Sequence, residues 1–171
     1  MRAGTDTLIT IRKLLPADKD SILQMLKETN VFSQHEIDVA GEVIDTYLNN
    51  SSQQDYNIYE GVTEHQEIAG YVCFGPTPLT DGTFDIYWIA VRPIFQGHHI
   101  GKQLLQHVEN LVVSRGGRLL VTETSSQPQY ERSKNFYVRN NYREVARIKD
   151  YYRAGDDLII YGKYLSQSKG S

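Results

Sequence analysis

The segment most able to carry chemistry lies at residues 96–102, between a predicted strand and a predicted helix. The strand ends at Pro93, glycines follow at Gly97 and Gly101, and an amphipathic helix begins at once. Glycines let successive backbone N–H groups point outward at a helix N-terminus, where the helix dipole also favours negative charge. This arrangement predicts an anion cradle, most naturally for phosphate. The alternative is an ordinary strand-to-helix turn whose glycine permits tight packing.

Two other phosphate-binding motifs do not fit this segment. A Walker A loop has four residues between its first glycine and its Gly-Lys pair, followed by Ser or Thr for magnesium. Here three residues separate Gly97 from Gly101, and Gln103 supplies no hydroxyl after Lys102. The dinucleotide fingerprint requires three glycines in the order G-x-G-x-x-G within a parallel βαβ unit, and neither is present.

Two segments together resemble the GNAT acetyltransferases. Their acetyl-CoA loop has the pattern Arg/Gln-x-x-Gly-x-Gly/Ala, which Gln96 and Gly101 match at its ends, while His99 stands at the middle glycine. Residues 135–142 resemble the family's F-Y-x-x-x-G-F/Y segment, with Asn141 at the glycine. Asparagine, like glycine, tolerates the left-handed backbone expected after a helix. The predicted order of strands and helices is also the family's order, so the resemblance covers nearly the whole chain.

The resemblance implies a fold, a cosubstrate and a reaction. The fold would be α/β (α+β), with a GNAT-type mixed, mostly antiparallel central sheet of about seven strands flanked by about four helices. The reaction would be N-acetyl transfer from acetyl-CoA to a primary amine by direct attack, with a general base and a tyrosine general acid. The expected cofactor-binding residues are Ile89, Ala90, Val91, Gln96, Gly97, His98, His99, Ile100, Gly101, Lys102 and Asn135.

Three side chains are the expected catalytic residues of such an enzyme. Tyr137 would protonate the departing thiolate, since the ordinary pKa values of a phenol and a thiol lie within about two units. Asp85, six residues before Val91, and Glu123, near the end of the next strand, both match positions of catalytic glutamates in the family. The sequence leaves open which carboxylate is the base, and each could instead be a strand-end group paired with a surface cation.

A tyrosine pair bears on the acceptor. Tyr151 and Tyr152 are expected in the loop between the last two strands, where N-terminal acetyltransferases, including the ribosomal-protein alanine enzymes that this chain partly resembles, hold a peptide. Small-molecule enzymes also carry aromatics there, so a peptide or protein N-terminus and a small amine both stay open. Asp156 and Asp157 could attract the cationic amine, although a turn after Gly155 is the simpler interpretation. The alternative function is a non-catalytic acyl-CoA-binding sensor, because the loop departs from the family pattern.

The elements that must position these residues follow from hydrophobic periodicity and turn signals. Ser33 and Glu36 have capping-box spacing and predict a helix start, and Gly116 and Gly117 predict a helix end. The predicted strands cover 9–14, 56–62, 68–74, 83–91, 119–124, 142–148 and 158–164. The predicted helices begin near Asp18, after Ser33 and between 97 and 101, and a last one covers 130–139.

Length and composition limit the class of protein. The chain has 171 residues, 40% hydrophobic and 23% charged, which predicts one globular domain at 1–165 and a flexible tail at 166–171. Rod-like and globally disordered chains are excluded. One cysteine, Cys73, cannot form an internal disulfide, which favours a reducing compartment. Without a recognisable signal peptide or apolar span, we expect a cytoplasmic protein.

The net charge of −3 hides an asymmetry that bears on partners. Residues 1–91 sum to −9 and residues 92–171 to +6. The basic part could attract anionic phosphates and the acidic part a cationic acceptor, although both could simply be solvated surface. The five histidines lack metal-ligand spacing, so no metal is expected. The expected partners are acetyl-CoA and an amine acceptor, with no nucleic acid, no membrane and a possible homodimer.

Overall fold

The computed structural model describes residues 8–165, so the predicted tail at 166–171 lies outside them. Within that range seven strands and four α-helices form, in the number and order that the sequence predicts. The strands are β1 (Ile9–Lys13), β2 (Asn57–Thr63), β3 (Ile68–Pro76), β4 (Thr83–Val91), β5 (Leu119–Ser125), β6 (Arg143–Arg153) and β7 (Asp156–Tyr164). The helices are α1 (Lys19–Glu28), α2 (Gln34–Asn49), α3 (Ile100–Ser114) and α4 (Glu131–Arg139).

The strands form one mixed sheet in the order β1-β2-β3-β4-β5-β7-β6. β4 and β5 pair in parallel, whereas β1–β2, β2–β3, β5–β7 and β6–β7 are antiparallel. The predicted fold class, a mostly antiparallel mixed sheet with four helices, is confirmed.

The chain divides into two compact units. Unit one contains the described residues through Gly75 together with Trp88–Val108, and unit two contains Pro76–Tyr87 and the described residues from Glu109 onward. β3, β4 and α3 contribute residues to both. The single domain expected at 1–165 stays a prediction.

Unit one has its core between α1, α2 and one face of β2 and β3. The predicted capping box at the start of α2 is confirmed, since the Glu36 N–H donates to Ser33 Oγ and the Ser33 N–H donates to Glu36 Oε2 at 2.7 Å. One carboxylate enters this core: Glu60 on β2 lies between Arg12 of β1 and Tyr71 of β3 in the strand register and is fully buried. The core side chains include Ile22, Met25, Leu26, Ile37, Ala40, Ile44, Ile58, Val62, Ile68 and Cys73.

Unit two is built on β5. Its parallel pairing with β4 runs from Thr83–Leu119 to Ile86–Thr122, and β7 pairs along its other edge. Successive strand residues point to opposite faces, and β5 alternates accordingly, with Leu120, Thr122 and Thr124 buried and Glu123 exposed. The strand therefore presents two different surfaces, one apolar and one carrying the glutamate.

Two predicted boundaries in this part of the chain need correction. β3 continues to Pro76 rather than ending before Gly75. β6 continues to Arg153 rather than ending at Ile148, so Tyr151 and Tyr152 lie on a strand and the loop predicted for them is wrong. The cause of the second difference is a bulge in β6, which interrupts its pairing with β7 without ending the strand.

Candidate active site

In unit one, the predicted phosphate loop is a tight turn between β4 and α3. Pro93–Phe95 form a short 3-10 turn, and the Gln96 side chain donates from Nε2 to the Val91 carbonyl oxygen at 3.1 Å, closing the loop onto the end of β4. Gly97 has a φ of 86° and His99 a φ of 60°. His99 thus adopts a left-handed backbone at the position where the family pattern has a glycine, and histidine is among the residues that tolerate it.

Arg92 fixes the base of this loop. Its N–H donates to the Ala69 carbonyl oxygen at 2.8 Å and its Nε to the Ile68 carbonyl oxygen at 3.0 Å. Its guanidinium also pairs with Glu28 at 2.8 Å. Both ends of the loop are therefore tied down, by Arg92 at the strand and by the helix itself beyond His99.

The loop offers space and backbone donors where an anionic group would be held. A Cβ built on Gly97 meets no atom within 4 Å, so the space beside this glycine is open. α3 begins at Ile100, which is buried, and the first N–H groups of a helix have no partner inside the helix. Gly97, His99 and Lys102 are exposed, and Ile89, Val91, Gln96, His98 and Gly101 are partly exposed, whereas Ala90 is buried.

In unit two, Tyr137 lies in a buried aromatic cluster. Its side chain is 4% exposed, and its ring lies 5.5 Å from that of Tyr142 and 6.2 Å from that of Tyr161. Burial raises the pKa of Tyr137 to about 12, with a smaller opposing effect of the Thr122 hydroxyl. The phenol therefore keeps its proton at every pH at which the protein would work. Asn141, in the turn after α4, has the predicted left-handed backbone with a φ of 67°.

Thr122 connects Tyr137 to the sheet. Its Oγ1 lies 3.3 Å from the Tyr137 Oη and 3.3 Å from the Ile86 carbonyl oxygen. A threonine hydroxyl has one proton, so Thr122 donates either to the Ile86 carbonyl oxygen or to the Tyr137 Oη, and it is the bond to Tyr137 that lowers the pKa of the phenol. Because neighbouring strand residues face opposite ways, Tyr137 and Glu123 lie on opposite faces of β5.

The two candidate bases are close enough to interact. Although Glu123 is an exposed residue, its carboxylate is partly desolvated, and this desolvation first and the Asp85 carboxylate second raise its pKa. The Thr77 hydroxyl donates a hydrogen bond to Asp85. Asp85 is therefore already held by a donor, while Glu123 is the carboxylate whose proton affinity is increased.

Tyr152 on β6 lies close enough to Glu123 for the two side chains to interact, and Tyr151 contacts Tyr152. Their rings make an edge-to-face contact with centroids 5.0 Å apart. Burial and then the nearby Glu123 carboxylate raise the pKa of Tyr152 to about 12. Unit two thus contains one group of interacting side chains, formed by Asp85, Glu123 and Tyr152. Asn135 is exposed on α4, and no described contact joins it to this group.

Several residues at this site were not identified from the sequence. Thr77 and Thr122 resemble ordinary strand-favouring threonines, and only their contacts to Asp85 and Tyr137 give them a role. Asp156 and Asp157 were predicted either to attract the amine or to form a turn after Gly155, and the turn is wrong because both residues lie on β7. The contacts of Asp157 with β6 had no signal in the sequence beyond the turn-forming types of Asp150 and Gly155.

Within residues 8–165, no three histidine, cysteine or acidic side chains are grouped as metal ligands would be. None of the helices in that range has the length and apolar character needed to span a bilayer.

Known proteins resemble this chain over most of its length. The sequence profile of the acetyltransferase (GNAT) family matches residues 20–142. A curated relative, the 5-NmdU N-acetyltransferase of Pseudomonas phage PaMx11, is 30% identical over 134 residues, covering 77% of this chain and 85% of that protein.

Solved structures agree with the family profile. A crystal structure from Desulfovibrio desulfuricans, assigned to the GNAT acetyltransferases, is 39% identical with a TM-score of 0.87 over 93% of this chain and all of that one. The ribosomal-protein-S18-alanine N-acetyltransferase of Escherichia coli is 17% identical with a TM-score of 0.73, covering 96% and 98% of the two chains. At that identity the likeness concerns the fold alone.

Proposed function

Because the chain belongs to the GNAT acetyltransferase family, we propose that it transfers an acetyl group from acetyl-CoA to a primary amine. The observation that supports catalysis rather than binding alone is the group of Asp85, Glu123 and Tyr152. A carboxylate with a raised pKa beside a second carboxylate and a phenol is suited to receive a proton from an amine.

Acetyl-CoA supplies the activated acetyl group as a thioester. The loop of unit one would hold its phosphates through backbone N–H groups near the start of α3, with the open space beside Gly97 admitting them. Ile89, Ala90 and Val91 would offer backbone groups to the pantetheine. The other residues proposed to contact the cosubstrate are Gln96, His98, His99, Ile100, Gly101, Lys102 and Asn135.

Glu123 is the proposed general base. An amine attacks only in its neutral form, and a carboxylate with a raised pKa is a stronger base than an ordinary one. Glu123 would take the proton directly or through a water molecule. Asp85, held by Thr77, would act by keeping the proton affinity of Glu123 high.

Tyr137 is the proposed general acid. Its phenol stays protonated because burial raises its pKa to about 12. It would donate that proton, or a strong hydrogen bond, to the thiolate as it departs. Since Tyr137 and Glu123 lie on opposite faces of β5, the two proton transfers use separate surfaces.

The acceptor is proposed only as a class. Tyr151 and Tyr152 would cover an apolar part of the acceptor while Glu123 and Asp85 attract its cationic amine. A peptide N-terminus and a small-molecule amine both fit this description, and the curated phage relative adds 5-NmdU as a compound to be tried.

An acceptor screen tests the proposal. Purified protein would be titrated with acetyl-CoA by calorimetry and then assayed for thiol release with small amines, N-terminal peptides and 5-NmdU. We expect saturable binding and acceptor-dependent release with at least one class. Binding without release from any acceptor would favour the acyl-CoA sensor, and no binding at micromolar acetyl-CoA would refute both functions.

A further inference from the structure

The tyrosine-bearing part of β6 is a large bulge opposite a single residue of β7. Ile148 pairs with Leu158, and the next registered pair is Arg153 with Asp156. β6 therefore places residues 149–152 opposite Asp157 alone. In an uninterrupted ladder one residue would stand there, so three additional residues are accommodated.

Asp157 makes the contacts that hold this bulge. The Asp150 N–H donates to Asp157 Oδ1 at 3.0 Å, and Arg147 Nη1 donates to Asp157 Oδ2 at 3.0 Å. The backbone of Asp157 is itself fixed to the end of β5, because its N–H donates to Ser126 Oγ at 2.8 Å and its carbonyl accepts the Ser126 N–H at 3.0 Å. One aspartate thus ties the bulge to the end of β5.

The turn after the bulge is tied to the same strand end. Asp156 is buried and accepts the Ser125 hydroxyl at 2.5 Å. The Gln127 side chain donates to the Gly155 carbonyl oxygen at 2.8 Å, and the Gly155 N–H donates to Asp150 Oδ1 at 2.6 Å. Asp150 has a φ of 53°, a conformation that aspartate accepts more readily than most residues.

We infer that Asp157 is a positioning residue. By fixing the bulge, it holds the pair of Tyr151 and Tyr152 beside Glu123, where the acceptor would bind. The inference rests on the proposed function, because it gives Asp157 a role only through the tyrosines assigned to the acceptor. Without the Asp157 carboxylate, Asp150 on the exposed strand β6 keeps its bond to Gly155 in the neighbouring turn but loses its bond to β7. The tyrosines would then sample several positions, and binding energy would be spent on ordering them.

Steady-state kinetics of Asp157→Ala test this inference. The probe acceptors are a tripeptide with an N-terminal alanine and benzylamine. We expect the KM for the acceptor to rise about fivefold to tenfold, with kcat and the KM for acetyl-CoA within about twofold of wild type. Asp157→Asn keeps an acceptor for the Asp150 N–H and should lie close to wild type. Glu144→Gln is the matched control, since it removes the other carboxylate bound to Arg147, at 2.8 Å, and leaves Asp157 in place.

A structural role for Asp157 would lower the melting temperature and the active fraction without raising the KM. Amide hydrogen exchange gives a readout independent of activity, and it should accelerate at residues 149–152 in Asp157→Ala but not in Glu144→Gln. Should Asp157→Ala fail to fold, Asp150→Ala removes the bond to Gly155 and should raise the acceptor KM in the same way.

The double variant Tyr151→Ala, Tyr152→Ala separates the two levels of the account. If it raises the acceptor KM while Asp157→Ala and Asp150→Ala do not, and exchange in the bulge is unchanged, the positioning inference is wrong and the proposed function stands. If the double variant leaves the acceptor KM unchanged in an active enzyme, the tyrosines do not bind the acceptor, and the inference fails with that part of the proposed function.

Discussion

At the residue scale, Asp85 and Glu123 are neighbours with different surroundings. Parallel pairing places Asp85 opposite Val121, so its side chain shares a face with Glu123 two residues further on. The Thr77 hydroxyl donates to Asp85, whereas partial desolvation and the charge of Asp85 raise the pKa of Glu123. The two carboxylates therefore have different predicted effects on the pH dependence of the rate.

Glu123→Gln should lower kcat/KM by about 10²-fold and remove the acidic limb of its pH profile, because the base would be lost. Asp85→Asn should keep most of the rate and move that limb to lower pH, since loss of the Asp85 charge lowers the pKa of Glu123. Parallel pH–rate profiles check both. Loss of activity in Asp85→Asn with a normal profile for Glu123→Gln would reverse the assignment.

Tyr137→Phe should lower kcat by about 10²-fold with little change in acetyl-CoA affinity, because the variant keeps the ring and loses the proton donor. The raised pKa of Tyr137 means that wild type should show no basic limb from this residue in the usual assay range.

Thr122→Val should lower kcat about fivefold, for the loss of one hydrogen bond, and Thr122→Ser should restore it.

A matched control for Thr122 lies two residues away on the same face. Thr124 is buried, and its Oγ1 has no hydrogen-bond partner in the described part of the chain. Thr124→Val should therefore leave kcat unchanged and cost no stability. An equal loss of kcat in both valine variants would contradict a specific role for the Thr122 hydroxyl.

At the element scale, the loop between β4 and α3 depends on one glycine. Gly97 has a φ of 86° with open space around it, so Gly97→Ala introduces backbone strain without a clash. We expect a stability loss of about 1 kcal/mol and an acetyl-CoA affinity reduced about fivefold, because the turn that aims the N–H groups must relax. Calorimetry and urea unfolding measure the two effects.

Gly116 supplies the control for that loop. It has a φ of 78° and equally open space, at the end of α3. Gly116→Ala should lose similar stability and bind acetyl-CoA as wild type does. Equal affinity losses in both alanine variants would mean that strain, not the loop, controls binding.

Glu60, on β2 of unit one, should make the stability of the protein depend on pH. Burial raises the pKa of Glu60 from 4.5 to about 7, against the opposing effect of the Arg12 guanidinium at 2.7 Å. The folded protein therefore binds this proton more tightly than the unfolded chain does. The stabilisation of the fold by this proton is complete below pH 4.5 and is lost as the pH rises through 7. Glu60→Gln should flatten the pH dependence of the unfolding free energy in this window, by about 3 kcal/mol.

Urea unfolding at several pH values between 4.5 and 8 measures this effect. Glu64→Gln, on the exposed turn between β2 and β3, should keep the wild-type slope. A Glu60→Gln curve parallel to wild type would show that the Glu60 proton is not taken up on folding.

The elements differ in how far the sequence predicts them. The start of α2 and the left-handed Asn141 follow from local chemistry, because Ser33 with Glu36, and an asparagine after a helix, determine the backbone around them. The end of β6 does not, because the bulge at 149–152 depends on Asp157 and Ser126, which meet it only in the folded chain. Turn-like residues such as Asp150 therefore predicted a loop where a strand continues.

At the scale of the whole molecule, the order of strands and helices along the chain is predictable from the sequence, whereas the contacts between distant side chains are not. Hydrophobic periodicity predicted the number and sequence of strands and helices, and the family resemblance predicted the sheet. The pairing of Asp85 with Glu123 and of Thr122 with Tyr137 depends on strand register and helix packing, which no local pattern encodes. Residue types pointed to the chemistry, and only the folded chain assigns different surroundings to the two carboxylates.

The central claim is acetyl transfer from acetyl-CoA to an amine, and its most direct test is a product balance. Wild-type protein would be incubated with acetyl-CoA and the best acceptor of the screen, and free CoA thiol and acetylated amine would be quantified together by mass spectrometry. The account predicts equal amounts of the two products, both strongly reduced in Glu123→Gln. Thiol release without acetylated amine, or bound acetyl-CoA that yields neither product with any amine, would contradict it.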